Sequence, residues 1–490
     1  MSSPGLYVDG SWRPGGAGEE PVLNPATEQP IAVAAVGDLG DLDAALAAAR
    51  RAADEGPWRS MTPAARGDLL DRFVDVLEAR VEQLTALVIA ESGAIGPLAK
   101  RLHVRTALSH FRHFNQLARR SPLTPLEMSP AAGRSPMAAA VVAREPFGVV
   151  AAITPFNFPF FLNVEKVAPA LAAGNTVVLK PSPLTPLEAL VLGEVAEEVH
   201  LPPGVLNVVT GSTSVAEALT TDERVDLITF TGSDTVGSQI MAQAAPALTP
   251  VLLELGGKSA LVVRADADLD AAVPFGLSQL LIQAGQGCAL CTRHLVHRSV
   301  YDEYVERLVA MVGMVPVGDP ADRATGMGPL ISAAQRTRVE GYVERGRDEG
   351  GEVVAGGRRP PHLDRGHFYE PTVFLGLDNS STLGQEEIFG PVVLVTPFDD
   401  DEQAVALAND SRYGLAGSVF SGDLAAATSM ALALQTGYVT INGGGGSLSP
   451  LLPFGGYKRS GIGRELGEMG FEAYQQTKSL DLNLGSTSFL

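Results

Sequence analysis

The sequence predicts an α/β protein of two or three domains, built on parallel sheets with helices on their faces. Three observations carry this. From Gly148 short apolar runs alternate with helical runs in units of roughly 30 residues, the rhythm of strand–helix–strand crossovers. A second alternation of the same kind begins after Lys258. The chain's 490 residues exceed what one ordinary core organises.

The chain opens, over residues 5–36, with short strand-like pieces punctuated by turns at Asp9-Gly10 and Asn24-Pro25. Asp41 to Ala53 reads as an Ala-rich helix stopped by Gly56-Pro57. Thr62-Pro63 has the form of an N-cap followed by proline at the first helical position. Apolar residues at Leu69, Phe73, Val76, Leu77 and Leu84 carry one helix from there to near Ser92-Gly93. A further helix is predicted from Pro97 to about Arg119. This layer is expected to hold no chemistry. Pro-rich text at 121–125 then gives way to Met137–Arg144, an exposed strand, and a second such strand, Thr477–Leu484, closes the chain with clean alternation. Long strands outside a compact unit need partners for their edges. The two read as an oligomerisation flap or, equally, as ordinary edge strands.

In the first alternating region the strands are Gly148–Thr154, Thr176–Pro181, Val205–Gly211, Leu227–Thr231 and Pro250–Leu255. Helical text fills the gaps: Phe160–Ala173, Pro186–Val199, Ser214–Leu219 and Thr235–Ala244. Ligands of such sheets sit beyond the C-terminal ends of the strands. The unusual residues fall there: Pro155-Phe156-Asn157, Lys180, Gly232-Ser233 and Glu254-Leu255-Gly256-Gly257.

A formal charge of −20 and a pI near 4.8 argue against nucleic acid and against an anionic membrane surface. Apolar runs break well before the ~18 residues a membrane helix needs, and the N-terminal text lacks a basic-then-apolar signal pattern. The only two cysteines lie three apart, too close to frame disulfides, which points to a reducing, cytoplasmic setting. No second Cys pair or suitably spaced His accompanies them, so no metal site is expected.

Both cysteines lie in Gln283–Arg293, where Cys288 follows a Gly-Gln-Gly turn whose backbone N–H groups can face whatever the sulfur attacks. Small buried core residues are the plainer reading of Cys288 and Cys291. Glu254 ends an apolar strand, where burial raises a carboxyl pKa and suits it to accept a proton from water; a solvated strand-end carboxylate is the alternative. Asn157, in Pro-Phe-Asn-Phe-Pro, offers an amide donor to an oxyanion, or simply forms a turn. Gly232 to Gly237 follows a strand and opens a helix, a place where phosphate binds, or an ordinary turn. Lys180 can reach a ribose or phosphate, or lie exposed.

Together these motifs resemble the aldehyde dehydrogenase superfamily. Glu254–Ser259 reads Glu-Leu-Gly-Gly-Lys-Ser, Gly285–Cys288 reads Gly-Gln-Gly-Cys, and their separation, 288 − 254 = 34, is the family's. Pro155–Pro159, Phe230–Ser233, Glu386–Pro391 and Pro453–Glu465 match further family motifs, and the likeness runs from Tyr7 to the terminal strand. The resemblance implies a Rossmann-like dinucleotide-binding domain from residues 1–123 and 146–256, with 460–473 returning to it. It implies an α/β catalytic domain over 257–459 and a β-strand oligomerisation flap from 124–145 and 474–490, making dimers or tetramers. It implies oxidation of an aldehyde to the carboxylic acid with NAD or NADP, with Cys288, ionised at neutral pH, as nucleophile. Asn157 and the Cys288 backbone N–H then hold the oxyanion, Glu254 activates the hydrolytic water, and Lys166 and Glu465 relay protons. Cofactor positions carried over are Gly232 and Ser233 at the pyrophosphate, Lys180 at the adenine ribose, and Glu387 and Phe389 at the nicotinamide ribose. Ile153, Thr154, Pro155, Phe156, Ser182, Pro183, Gly211, Phe230, Val236, Leu255 and Gly256 complete that set.

One position departs from the pattern. NAD-preferring members usually carry Glu three residues after the ribose lysine, and here Pro183 stands there, so NADP use or dual use is expected to be open. The implied substrate pocket, Phe158, Leu162, Glu165, Ile282, Leu448 and Phe454, is mostly apolar and suits an aliphatic, terpenoid or aromatic aldehyde, with Glu165 disfavouring an anionic one. A CoA-acylating relative needs no water-activating carboxylate at 254, and a non-catalytic binding protein on this scaffold has no use for Cys288 or Glu254.

Overall fold

The computed structural model describes residues 5–126, 138–445 and 448–483. Two twisted sheets organise it. In the first, five parallel strands run in spatial order Leu206–Val208, Thr176–Lys180, Val149–Ile153, Leu227–Thr231, Val251–Glu254. The chain winds outward one way from Val149–Ile153 and then the other, so the direction reverses between that strand and Leu227–Thr231. A crevice opens beyond the strand ends at such a reversal, and Thr154–Asn157 and Gly232-Ser233 flank it. The apolar, β-branched text of these strands suits burial on both faces, and four of the five, all but Val251–Glu254, are buried at every residue. Leu6–Val8 and Gly461–Ile462 extend the sheet as antiparallel neighbours, the first joined to Ser11–Arg13 through the turn at Asp9-Gly10, where both residues have positive φ.

The second sheet orders Glu352–Ala355, Thr372–Leu375, Val392–Phe398, Cys291–His297, Ser259–Val263, Ala416–Phe420 and Tyr438–Ile441, parallel except at its first pair. Ser259–Val263 follows Val251–Glu254 after only four residues, so Glu254 stands where the chain leaves one sheet for the other. The α/β class expected from the strand–helix rhythm is the observed one.

The helical layer differs from expectation in two places. The single helix expected from Pro63 to Ser92 is two, Pro63–Ala79 and Val81–Ser92, broken at Arg80 (φ −100°, ψ 12°). Arg80 turns out to bind Glu194 and Glu198 of a packed helix, a tertiary tie that periodicity does not carry. The Thr62 cap is present, its hydroxyl accepting from Ala65 N–H. The helix expected from Pro97 contains a π-helical stretch, Ala99–Thr106, before the α-helix Ala107–Ala118. Such stretches occur mostly at functional sites.

Ala138–Pro146 pairs with Gln475–Asn483 over its whole length, and Leu123–Pro125 adds a third strand. Met137 and Leu484, ends of the two expected strands, lie outside the described residues. Among the described residues no helix is long and apolar enough to cross a membrane.

Candidate active site

The turn before Cys288 is built from consecutive left-handed residues. The helix Leu269–Leu281 ends, and Gln283 (φ 50°), Ala284 (φ 52°) and Gly285 (φ 72°) follow. Left-handed backbone at two non-glycine residues is strained and persists only where the surroundings enforce it. Here the amide side chains do so. Gln283 Nε2 donates to the Ser92 carbonyl at 2.8 Å, Gln286 Nε2 donates to the Gln283 carbonyl at 2.8 Å, and Gln286 Oε1 accepts from Ile331 N–H at 3.0 Å. The turn delivers Cys288, half-buried, just ahead of the strand Cys291–His297, and Cys291 is a core residue.

Asn157 comes from the other sheet. Its Nδ2 donates to the Gln286 carbonyl at 2.9 Å, tying the strand-end turn 154–158 to the cysteine turn. An amide nitrogen carries two hydrogens, so the bond fixes the group and leaves the second N–H to donate. Gly257 packs against the Cys288 carbonyl so closely that a Cβ there would collide with it.

Glu254 is buried and, among the described residues, neither carboxylate oxygen has a hydrogen-bond partner. Burial first, then the carboxylate of Glu465, hold its pKa well above the usual range, against the pull of Lys166 and Arg464. A carboxyl in that state accepts a proton readily. The Cys288 thiol is pushed up to about 12, by burial first and then by Glu387 and Glu254, with the backbone N–H of Cys288 pulling the other way. Burial first, and then the carboxylates of Glu387, Glu254 and Glu465, thus work against the expected thiolate. Lys166 Nζ is fully buried and bonds Glu465 Oε1 at 2.7 Å and Thr229 Oγ1 at 3.0 Å.

Beyond the first sheet's strand ends, Thr154 Oγ1 donates to Asn163 Oδ1 at 2.6 Å and Phe156 stacks edge-on against Phe389 at 5.8 Å. Ile153 closes its strand against Lys180 in register. Lys180 Nζ is buried with only the Pro181 carbonyl at 3.3 Å, and burial lowers it to about 8. Ser182 Oγ accepts from Leu184 N–H, and Pro183 beside it is exposed. Gly211 bridges Gly37. Gly232 N–H donates to the Glu254 carbonyl, and a Cβ on Gly232 would run into the Phe230 ring. Ser233 caps the helix Asp234–Ala244 by accepting from Val236 N–H at 3.3 Å. Leu255 N–H donates to the Ser460 carbonyl. Glu387 Oε1 accepts from Gly257 N–H at 3.1 Å, and a Cβ on Gly256 would overlap that carboxylate. Burial raises Glu387 to about 7, against Gly257 N–H and Lys258. Phe389 is itself left-handed (φ 61°) and is held by Gln335 Nε2 on its carbonyl at 2.6 Å.

Phe158, Leu162, Leu448 and Phe454 are half-buried and pack on one core; Ile282 is half-buried at the start of the cysteine turn. Glu165 is not a free pocket carboxylate. Its Oε1 lies 2.7 Å from His110 Nδ1, and His110 Nε2 lies 3.1 Å from the Leu448 carbonyl. His103, in the π-helical stretch, rests its ring 4.9 Å from that of Phe158. The helical layer, expected to be without chemistry, therefore supplies two histidines to this wall. Sequence reasoning missed them, and missed Gln286 as the anchor of Asn157, because each partner is 55 or more residues away. Two buried histidines seven apart, on one helical face, were the available signal.

Residues 12–480 match the model of the aldehyde dehydrogenase family. The chain is 41% identical over 478 residues to geranial dehydrogenase of Castellaniella defragrans, covering 97% of this chain and 98% of that protein. It is 40% identical to 3-succinoylsemialdehyde-pyridine dehydrogenase of a Pseudomonas species, with 97% and 98% covered. A crystal structure of Mycobacterium tuberculosis aldehyde dehydrogenase complexed with NAD+ superposes with a TM-score of 0.94 at 43% identity, covering 100% of both chains.

Thiol alkylation checks the electrostatics. The thiolate is the reacting form, so iodoacetamide labelling of Cys288, followed by peptide mass, is expected to be slow at neutral pH and to rise about tenfold per pH unit to about pH 10, with Cys291 unlabelled. Replacing Glu254→Gln removes a facing charge and is expected to speed labelling at fixed pH. A rate that is flat above neutrality contradicts the raised thiol pKa.

Proposed function

This chain belongs to the aldehyde dehydrogenase family and oxidises an aldehyde to its carboxylic acid with a nicotinamide dinucleotide; from that premise we propose which residues perform each step. The observation that carries the reading is Glu254, a buried carboxylate without a partner, electrostatically coupled to the one half-buried cysteine.

Cys288 gives up its proton to the Glu254 carboxylate and its sulfur attacks the carbonyl carbon. The oxygen that gains charge is held by the free N–H of Asn157 and the backbone N–H of Cys288, donors fixed before the reaction begins. A bound dinucleotide would supply the acceptor for the hydride that leaves the substrate carbon. The carbonyl re-forms as a thioester on Cys288. Glu254 then takes a proton from water, whose oxygen attacks the thioester carbon, and Cys288 departs as the sulfur leaving group. Glu465 and Lys166 lie in charge contact with Glu254 and provide a buried route for its proton. Release to water rather than to a thiol follows from a base at position 254.

The dinucleotide's fit rests on the cradle around Gly256, which a side chain would close, and on Lys180, a buried ammonium whose only bond among the described residues is to a neighbouring carbonyl. Gly232 and Ser233 would hold the pyrophosphate at a helix start, Lys180 the adenine ribose, and Glu387 and Phe389 the nicotinamide ribose. With Pro183 exposed in place of a carboxylate, nothing at that position repels a 2′-phosphate, so we assign dual use of NAD and NADP. The apolar wall at Phe158, Leu162 and Leu448 supports an aliphatic, terpenoid or aromatic aldehyde. The sheets support a dinucleotide-binding domain (1–123, 146–256, 460–473), a catalytic domain (257–459) and a flap (124–145, 474–490). The open edge of Gln475–Asn483 supports pairing between subunits, as a dimer or tetramer.

Two measurements test this. With Glu254→Gln, the first turnover is expected to give a burst of reduced dinucleotide, after which steady turnover falls about 10²–10⁴-fold, the usual weight of a general base; steady turnover near wild type removes Glu254 from the mechanism. A lost charged hydrogen bond is worth ~1.5–3 kcal/mol, so kcat/KM with NAD and NADP is expected to differ by less than about a hundredfold; a larger preference for NAD contradicts dual use.

A further inference from the structure

Tyr474 is a fully buried phenol that no step above uses. It is the residue before the strand Gln475–Asn483, and its backbone is fixed from two sides. Its N–H donates to the Phe471 carbonyl at 3.2 Å, and its carbonyl accepts from Asn175 Nδ2 at 2.9 Å. Asn175 is held in turn, its Oδ1 accepting at 3.0 Å from the N–H of Gly148, just before the strand Val149–Ile153. So anchored, the ring packs in the same apolar core as the helix Pro159–Ala173. Its hydroxyl donates to Thr229 Oγ1 at 3.3 Å. That same oxygen accepts from Lys166 Nζ at 3.0 Å, and Lys166 Nζ also donates to Glu465 Oε1 at 2.7 Å. Tyr474, Thr229 and Lys166 all lack exposed surface.

A hydroxyl oxygen has two lone pairs and one hydrogen. With the phenol on one lone pair and the ammonium on the other, Thr229 cannot turn its own hydrogen onto Lys166. The phenol keeps its hydrogen at neutral pH. Burial first, then the Glu465 carboxylate, hold its pKa well above the ordinary value against the pull of Thr229, and Glu165 and Glu254 add to the rise. Lys166 in turn acts on Glu254: with Arg464 it pulls that carboxyl down, against burial and Glu465. Glu165 also faces Lys166 but is bonded to His110, and Cys288 faces Glu254. Among the described residues, neither Arg464, Glu165, His110 nor Cys288 bonds Thr229.

We propose that Tyr474 is a positioning residue for thioester hydrolysis: acting through the Thr229 hydroxyl, it holds the Lys166 ammonium where it faces Glu254. This rests on reading Glu254 as the hydrolytic base and Lys166–Glu465 as its proton route. Without the phenol hydroxyl, the Thr229 hydrogen is free to turn toward Lys166, and the ammonium loses one of its two acceptors. Its pull on Glu254 then weakens and the Glu254 pKa rises. A base works in its ionised form, so hydrolysis then needs a higher pH. Attack by Cys288 and hydride transfer do not run through Thr229, so the effect falls on the hydrolytic step.

Tyr474→Phe removes the hydroxyl and keeps the ring. Rapid-quench single turnovers of the full enzyme with NAD and octanal follow reduced dinucleotide and free octanoic acid separately. Acid release is expected to slow by about threefold to tenfold, the weight of one neutral hydrogen bond, with hydride transfer within about twofold of wild type. The limb on which acid release rises with pH is expected to move to higher pH by about half a unit. Thr229→Val removes the shared oxygen, so adding Tyr474→Phe to it is expected to cost nothing further. Acid release within about twofold of wild type on an unmoved limb overturns the proposal. Equal losses in both steps overturn it too, as do losses that add in the double variant. Should Thr229→Val fail to fold, the pH limb of Tyr474→Phe decides. Glu254→Gln separates this proposal from the reading beneath it. Acid release near wild type in that variant removes the base and this proposal with it; slowed release there, but not in Tyr474→Phe, removes this proposal alone.

Discussion

The hydrogen bond from Asn157 Nδ2 to the Gln286 carbonyl is the contact on which the site depends. It is the point where the strand-end turn of one sheet meets the cysteine turn of the other. Each turn alone is common. Joined at 2.9 Å, they bring an amide donor to the turn that carries the sulfur, and Glu254, at the link between the sheets, acts electrostatically on that sulfur. The strain in Gln283 and Ala284 is tolerated because amide side chains on both sides over-determine the backbone. A fixed donor costs no reorganisation when charge develops on the substrate oxygen.

The same enclosure that strengthens those dipoles raises every acid within it. The pKa values of Glu254 and Cys288 are both raised, and for the same causes, burial first and then neighbouring carboxylates. In the proposed mechanism Glu254, which has no hydrogen-bond partner among the described residues, is the proton acceptor, and the buried Lys166–Glu465 pair faces it. Electrostatics thus couples the proposed attack and the proposed hydrolysis through one carboxylate.

Much of this was legible in the chain. Strand ends are where α/β sheets present chemistry, and Asn157, Lys180, Gly232 and Glu254 all stand at strand ends, marked by proline or glycine that an ordinary strand interior avoids. The Thr62-Pro63 cap was readable because capping is local. What was not legible depends on distance in sequence. The break at Arg80 answers to acids more than a hundred residues on. The pairing of His110 with Glu165 joins two helices, and the seven-residue spacing of His103 and His110 does not name the partner 55 residues on. The raised pKa of Cys288 follows from burial first and then from the carboxylates of Glu387 and Glu254, all of which only folding supplies.

The central claim is that Asn157, clamped by Gln286, supplies the oxyanion donor. Single-turnover hydride transfer in Asn157→Ala, with dinucleotide affinity measured alongside, tests it most directly. Loss of one such donor typically costs about 10²–10³ in rate, so the account expects a fall of that size with dinucleotide binding little changed. A transfer rate within a few-fold of wild type, with the variant folded and binding dinucleotide, would contradict it.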